Sequence, residues 1–343
     1  MKKLYLAYTG GTIGMRRTEG GYAPAPGFLA EQLATMPELA DPRMPAFDMH
    51  EYDPLLDSSN MRPADWIQIG RDIVAQYDRY DGFIVLHGTD TMAYTASALP
   101  FFIRGLAKPI LITGSQIPLS EVRNDARNTL ITAMLIAAEL DVPEVCLYFG
   151  NKLLRGCRSV KVDADGLDAF DSPNCQPLGR VGVDVEIDAS QVRPAQAGPI
   201  RLVEPVREAT IGAFRLFPGL SPDLLRNVLQ PPLQGLVLLA YGVGNAPDRD
   251  AALLAAIREA IDRGVVVVAC TQCLRGAVHL GEYATGAALA GAGVISGHDM
   301  TTEAALCKLH YLFSSGRSPA EVRRLMAEDL CGEMTLPPAR AAS

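Results

Sequence analysis

A chain of 343 residues exceeds the size at which a single hydrophobic core usually stops growing, so two domains are expected. Its 48% hydrophobic and 20% charged residues are ordinary for a globular protein, and no apolar run approaches the roughly 20 residues needed to cross a bilayer. A net charge of −8 with no basic cluster argues against nucleic acid or an anionic membrane surface as a partner. The seven cysteines are odd in number and scattered, which suits free thiols in a reducing compartment. The start, Met1 to Tyr8, has a positive flank and a brief apolar run, but the run stops at Thr9-Gly10-Gly11. It reads as a first strand and not as a signal peptide, so a cytoplasmic location is expected.

Strands are expected at 3–9, 46–50, 82–87, 109–113 and 144–149, several of them short apolar runs that read as buried and parallel. Between them, helical spacing recurs at 28–36, 62–77, 91–104 and 124–140. Pro63 and Asp65 suit the first turn of the second helix, and Asn124 can cap the fourth. Such alternation predicts a larger N-terminal α/β domain with a doubly wound sheet, over 1–190. The stretch 191–210 carries Pro194, Gly198, Pro199 and Pro205 without helical periodicity and is expected to be a linker. Over 211–343 the alternation resumes as a smaller α/β domain with a parallel sheet. Its strands are expected at 211–215, 235–240 and 265–270, and its helices at 221–229, 248–262, 301–313 and 318–329. Ser318, Pro319 and Glu321 supply an N-cap, an N1 proline and a capping-box acid in order. The tail from Leu336 onward is expected to fray.

Polar motifs follow the strands. Tyr5-Leu6-Ala7-Tyr8 runs into Thr9-Gly10-Gly11-Thr12-Ile13-Gly14, and Phe83-Ile84-Val85-Leu86 into His87-Gly88-Thr89-Asp90-Thr91. Asp57-Ser58-Ser59-Asn60 and Thr113-Gly114-Ser115-Gln116 close two further apolar patches. Ligands of open α/β sheets bind beyond the carboxyl ends of the strands, so these loops should share one crevice. The glycine pair before Thr12 lets backbone approach a ligand. A phosphate-binding reading would need a lysine that is absent here, whereas a plain tight turn remains open. Thr89 and Asp90 place a hydroxyl beside a carboxylate; a threonine nucleophile needs a base within hydrogen-bond reach. Asp90 could equally head the following helix. Lys161 reads either as a solvated charge or as a buried lysine able to act as a base. Met15 to Pro26 is polar and glycine-rich, either a plain exposed hairpin or a mobile lid with Tyr22 as its useful hydroxyl. Cys270-Thr271-Gln272-Cys273 has redox or zinc spacing, but without a second ligand pair it reads as two thiols at a strand end.

Together, Thr9-Gly10-Gly11-Thr12-Ile13 and His87-Gly88-Thr89-Asp90-Thr91-Met92 resemble the two signatures of the bacterial L-asparaginase family. Asp57-Ser58-Ser59-Asn60-Met61, Thr113-Gly114-Ser115-Gln116-Ile117-Pro118, Tyr241-Gly242-Val243-Gly244-Asn245, Cys270-Thr271-Gln272-Cys273 and Tyr283-Ala284-Thr285-Gly286 resemble its cytoplasmic type I branch. The resemblance covers nearly the whole chain. It implies hydrolysis of L-asparagine to L-aspartate and ammonia through an acyl-enzyme, with no metal and no organic cofactor. It implies Thr12 as nucleophile, helped by Tyr22, and a second set of Thr89, Asp90 and Lys161. Asp90, Ser58 and Ser59 would hold the substrate's ammonium and carboxylate. Gly11 and Gly88 would shape the pocket, Ser115 would line it, and backbone amides near Gly11 and Thr89 would hold the oxyanion. Tyr283, with Asn245, would reach the site from a neighbouring subunit of a homodimer or homotetramer.

Two positions depart from the relatives that asparagine activates at a second site. Those carry an arginine two residues before Tyr-Gly-Val-Gly-Asn and a threonine just before the lysine; here Leu239 and Val160 stand there. An effector carboxylate would lose its charged anchor, so simple saturation is expected. Two other readings are a binding or sensing protein for an amino acid and an ammonia-releasing amidotransferase subunit. The set Thr12, Thr89, Asp90 and Lys161 favours an enzyme over a binder, and amidotransferase subunits usually carry an extra N-terminal domain for which Thr12 leaves no room.

Overall fold

Side chains along β1 (Lys3–Gly10) alternate between two cores: Leu4, Leu6 and Tyr8 face one, Tyr5 and Ala7 the other. A strand buried on both faces belongs in the middle of a sheet covered on both sides. The computed structural model describes residues 2–281 and 284–336, and the chain divides into two units at Val203–Glu204.

In the first unit, β1 leads into the hairpin β2 (Met15–Thr18) and β3 (Gly21–Pro24), α1 (Phe28–Ala34) and β4 (Ala46–Leu56). Then come α2 (Pro63–Gln76), β5 (Gly82–Leu86), α3 (Met92–Phe102), β6 (Ile103–Arg104), β7 (Ile110–Thr113), α4 (Ala126–Glu139) and β8 (Val145–Phe149). The remainder holds β9 (Lys152–Arg155), β10 (Val160–Lys161), β11 (Phe170–Asp171), β12 (Gly179–Val181), β13 (Val185–Ile187) and β14 (Arg201–Leu202). The main sheet runs β4-β1-β5-β7-β8-β9-β12-β13. Its first five members are mutually parallel, and the pairings from β8 outward are antiparallel. A doubly wound sheet is present, and it carries an antiparallel edge that the strand–helix alternation did not signal. The reversal comes at Gly150-Asn151, a two-residue turn whose glycine takes φ 61°.

Helix starts follow the chemistry of their first turns. Pro63 occupies the first turn of α2, and the Asp65 carboxylate accepts from the Arg62 N–H (2.6 Å). The Asn124 side-chain oxygen Oδ1 accepts from the Arg127 N–H (3.1 Å) at the start of α4. Within 191–210, Gln196 N–H donates to the Leu106 carbonyl and β14 pairs with β6, so this part belongs to the first unit. Val206 N–H donates to the Ser314 carbonyl in the second.

The second unit contains β15 (Ile211–Arg215), α5 (Pro222–Val228), β16 (Gly235–Ala240), α6 (Ala251–Asp262), β17 (Val266–Thr271), α7 (Ala284–Gly291), β18 (Ile295–Ser296), α8 (Thr302–Ser314) and α9 (Pro319–Met326). Its strands are parallel and lie in chain order, β15-β16-β17-β18. A sheet that grows in one direction with right-handed crossovers places its connecting helices on one face. Leu225 of α5, Ile257 of α6 and Leu289 of α7 accordingly share one core with Leu236 and Leu238. Ala305 and Leu309 of α8 and Val322 of α9 close the other face over Val237, Val266 and Val268. Ser318 and Glu321 form the expected capping box. The helix α7 and strand β18 are additions to the expected elements: the run from Ala284 to Gly293 is alanine and glycine with one threonine and one leucine and shows no helical stripe.

Candidate active site

In the first unit the chain order reverses beside β1: β4 lies on one side and β5 on the other. This is the switch point at which open α/β sheets bind ligands. The loops after β1, β4, β5 and β7 are those that carry the polar motifs. Hydroxyls at the strand ends tie neighbours together: Thr9 donates to the Leu86 carbonyl (3.0 Å) and Thr113 to the Tyr148 carbonyl (2.7 Å).

Glycines let the loops touch. A Cβ on Gly11 would lie 2.3 Å from the Gly88 nitrogen, and one on Gly88 would lie 2.6 Å from the Ser58 hydroxyl. Gly11 also holds φ 90°, which side chains disfavour. The loops bearing Thr12, Thr89 and Ser58 are therefore in van der Waals contact. Ser58 is buried; its hydroxyl accepts from the Asp90 N–H (3.3 Å), and its carbonyl accepts from the Thr91 hydroxyl (2.7 Å). Ser59 turns away and donates its hydroxyl to Asp57 (3.0 Å).

His87 supports this loop from below. Its Nδ1 faces the Gly88 carbonyl (2.7 Å), which can only accept, so Nδ1 carries the proton. Nε2 then accepts from the Thr95 hydroxyl (2.8 Å). Complete burial pushes the His87 pKa down to about 4, so the ring is neutral at pH 7.

Lys161, on β10, reaches across to both members of the Thr89-Asp90 pair. Its ammonium donates to the Thr89 hydroxyl (2.9 Å) and to Asp90 Oδ1 (2.8 Å). Thr89 donates onward to Gln116 Oε1 (3.1 Å). The Lys161 side chain is 21% exposed and that of Asp90 is 64% exposed, so the group opens to solvent. A cation, a hydroxyl and a carboxylate arranged in this way can polarise the hydroxyl and hold a charged ligand.

Thr12 heads a 3-10 turn over Thr12–Gly14 and is half-buried. Among the described residues its hydroxyl has no hydrogen-bond partner. The Tyr22 hydroxyl does not meet it: on β3, Tyr22 donates to Glu121 (2.7 Å), and this carboxylate raises its pKa. A carboxylate is the stronger acceptor, which is a physical reason for this placement. Ser115 is fully buried and donates to the Ile117 carbonyl (2.8 Å), leaving only backbone to line a pocket. Tyr283 lies outside the described residues. Gln116 and Glu121 are the partners missed from the motifs. Gln116 stood in a quoted motif, but nothing in its spacing marks it as a neighbour of Thr89. Cys270 is buried at the end of β17 and its thiol is pushed up to about 12, while Cys273 is exposed; none of the seven cysteines is in a disulfide.

The sequence and fold of this chain match those of known proteins. A family model described as "Asparaginase, N-terminal" matches residues 3–193, and "Glutaminase/Asparaginase C-terminal domain" matches residues 210–326. The chain is 52% identical over 334 residues to L-asparaginase 1 of Escherichia coli (strain K12), covering 97% of this chain and 98% of that protein. The crystal structure of L-asparaginase I from Vibrio cholerae superimposes with a TM-score of 0.91 at 50% identity, covering 98% and 99% of the two chains. The L-asparaginase of Thermococcus kodakarensis gives 0.87 at 36% identity, covering 98% of this chain and 100% of that one. Both units, the loop cluster between β1 and β5 and the matches over nearly the full length agree that this chain belongs to the asparaginase family.

Proposed function

We propose that the chain hydrolyses L-asparagine to L-aspartate and ammonia, with Thr12 as nucleophile. The observation that carries this reading is the contact of Lys161 with both Thr89 and Asp90, on a loop packed against the one that presents Thr12, whose hydroxyl has no partner among the described residues. The Thr12 oxygen attacks the side-chain amide carbon and its proton leaves on the departing ammonia. Water then cleaves the ester, returning the proton to Thr12. Thr89, whose hydroxyl is held by Lys161 and Gln116, can accept a hydrogen bond from the water that attacks the ester. Asp90 takes the substrate's ammonium, and the buried Ser58 and exposed Ser59 loop takes its carboxylate.

The backbone amides of Thr12 and Thr89 make no hydrogen bond among the described residues, which suits them to the oxyanion. Such donors contribute roughly 3–4 kcal/mol each to barrier reduction. Tyr22 would leave Glu121 and turn to Thr12 when the β2–β3 hairpin closes, and Tyr283 would come from a neighbouring subunit of a symmetric homodimer or homotetramer. No metal or organic cofactor enters this scheme, and the protein acts in the cytoplasm.

Steady-state ammonia release from L-asparagine and L-glutamine tests the reading. It should be hyperbolic in asparagine, because Leu239 and Val160 provide no charge for an effector carboxylate, and it should vanish in Thr12→Ala and Thr89→Val. A folded protein that binds asparagine but releases no ammonia would instead be an amino-acid binder. A sigmoidal rate curve would reject the saturation kinetics alone.

A further inference from the structure

The Thr89 hydroxyl has one proton, and the structure determines where it goes. Gln116 Nε2 donates to the carbonyls of Gly166 (3.1 Å) and Ala164 (3.4 Å). Both oxygens can only accept, so the Gln116 amide cannot flip without facing oxygen with oxygen. Its Oε1 must therefore face Thr89, where it accepts the hydroxyl proton (3.1 Å). Lys161 already donates to the same hydroxyl from the other side.

Both ends of Gln116 are held. Its N–H and that of Ile117 donate to the two carboxylate oxygens of Asp125, each at 2.9 Å. The carbonyls it bonds belong to a tight turn in which Asp163 Oδ1 accepts from the Asp165 N–H (2.8 Å) and the Gly166 N–H (2.9 Å). That turn begins two residues after Lys161. The donor to Thr89 and the anchor of its acceptor thus lie on one short segment.

We infer that Gln116 is a positioning residue for Thr89: by accepting the hydroxyl proton it makes Thr89 present a lone pair, not a proton, to the substrate side. A lone pair there can accept from the attacking water, whereas a proton would donate to the water oxygen and engage the lone pair needed for attack. This inference rests on Thr89 taking part in the reaction, so Thr89→Val is measured beside the Gln116 variants.

Gln116→Met removes the acceptor. It should lower kcat by roughly tenfold to a hundredfold, the size usual for a partner that orients a reacting group, with KM moved less than about threefold. Gln116→Glu gives a second reading. Uncharged, the new side chain has the shape of glutamine, accepting from Thr89 and donating to Gly166; ionised, it cannot donate. Its kcat should be near native in acid and fall as pH rises through the titration of the new carboxyl, which would face Lys161, Arg123, Asp90, Asp125, Asp163 and Asp165. A merely structural role would lower the melting temperature of both variants and leave kcat and its pH profile unmoved. If Thr89→Val is inactive while folded Gln116→Met keeps kcat within about twofold, the inference is overturned and the role of Thr89 stands. If Gln116→Met does not fold, a native pH profile in Gln116→Glu overturns it equally. If Thr89→Val keeps its activity, the role of Thr89 falls and the inference with it.

Discussion

Two lysines in this molecule each bond a carboxylate, and their surroundings set them to different work. Lys308 of α8 and Glu333 in the second unit are both completely buried, 2.6 Å apart. The Lys308 ammonium also donates to the carbonyls of Met326 and Glu328, and Glu333 accepts from the N–H groups of Leu330 and Cys331. All three donors of Lys308 are occupied, and the pair clamps the segment after α9 onto the core. Lys161 of the first unit is partly exposed, its acceptors are a hydroxyl and a solvated carboxylate, and one of its N–H donors has no protein acceptor among the described residues. A charge pair sealed from water with every valence filled holds a fold. One left open, with a polarisable hydroxyl between charge and crevice, is available for chemistry.

The sharpest way to break this comparison is to remove each ammonium in turn. Lys161→Met should lower kcat by roughly 10²–10⁴-fold, the range of a proton-transfer partner. Its melting temperature should stay within about 3 °C of the native value, because exposed pairs contribute little to stability. Lys308→Met should do the reverse. Leaving Glu333 buried and unpaired costs about 3–5 kcal/mol, a fall in melting temperature on the order of 10 °C, with kcat of the folded protein retained. The double variant Lys308→Met with Glu333→Leu should recover much of that loss, since an apolar pair carries no buried charge. Differential scanning calorimetry and ammonia release on the same samples decide both, and equal stability losses at the two lysines would erase the distinction.

A third buried group tests whether the loop cluster also contains structural polarity. His87 is neutral in the fold, with its pKa lowered to about 4 by burial, and titrates near 6.5 when unfolded. Between those values the unfolded chain binds the extra proton, so stability rises with pH across the window. His87 stability is complete above pH 6.5 and is lost as pH falls through 4, an amount of roughly 3 kcal/mol. Urea unfolding at both ends of the window should therefore show a smaller pH dependence in His87→Gln than in the native chain. An unchanged dependence would mean that the ring takes up its proton as readily in the folded state as in the unfolded chain.

Much of the loop cluster was legible because strand, glycine and hydroxyl follow one another in the chain. Gly11 and Gly88 sit in short motifs, and their close approach is a consequence of β1 and β5 being neighbours in the sheet. The parallel core strands announce themselves by unbroken apolar runs. The antiparallel edge does not, although Gly150-Asn151 between two apolar segments is a hairpin signal of two residues; the strand–helix alternation before it favours a further parallel strand. The helix α7 lacks a stripe because alanine and glycine face every side. Gln116 and Glu121 could not be placed from sequence, since their partners Thr89 and Tyr22 lie far along the chain and meet them only through the order of strands. The Lys308–Glu333 pair is hidden for the same reason: a lone lysine in a helix normally reads as solvent-exposed.

The smallest expected effect concerns the hairpin, where function and structure meet in one hydrogen bond. The Tyr22 hydroxyl is bound to Glu121 at an exposed site, and Tyr22 itself is 45% exposed. Water competes for both groups there, so the contact adds little to stability. Its effect is on where the hydroxyl waits. Glu121→Gln replaces a charged acceptor with a neutral one and should release Tyr22 more readily. KM for asparagine should then fall by about two- to threefold, with unfolding free energy within about 0.5 kcal/mol of native, as for surface changes generally. In the Tyr22→Phe background, which has no hydroxyl to release, Glu121→Gln should do nothing further. A KM change that persists there would mean that Glu121 acts through the charge of the crevice and not through the hairpin, and would separate its role from that of Tyr22.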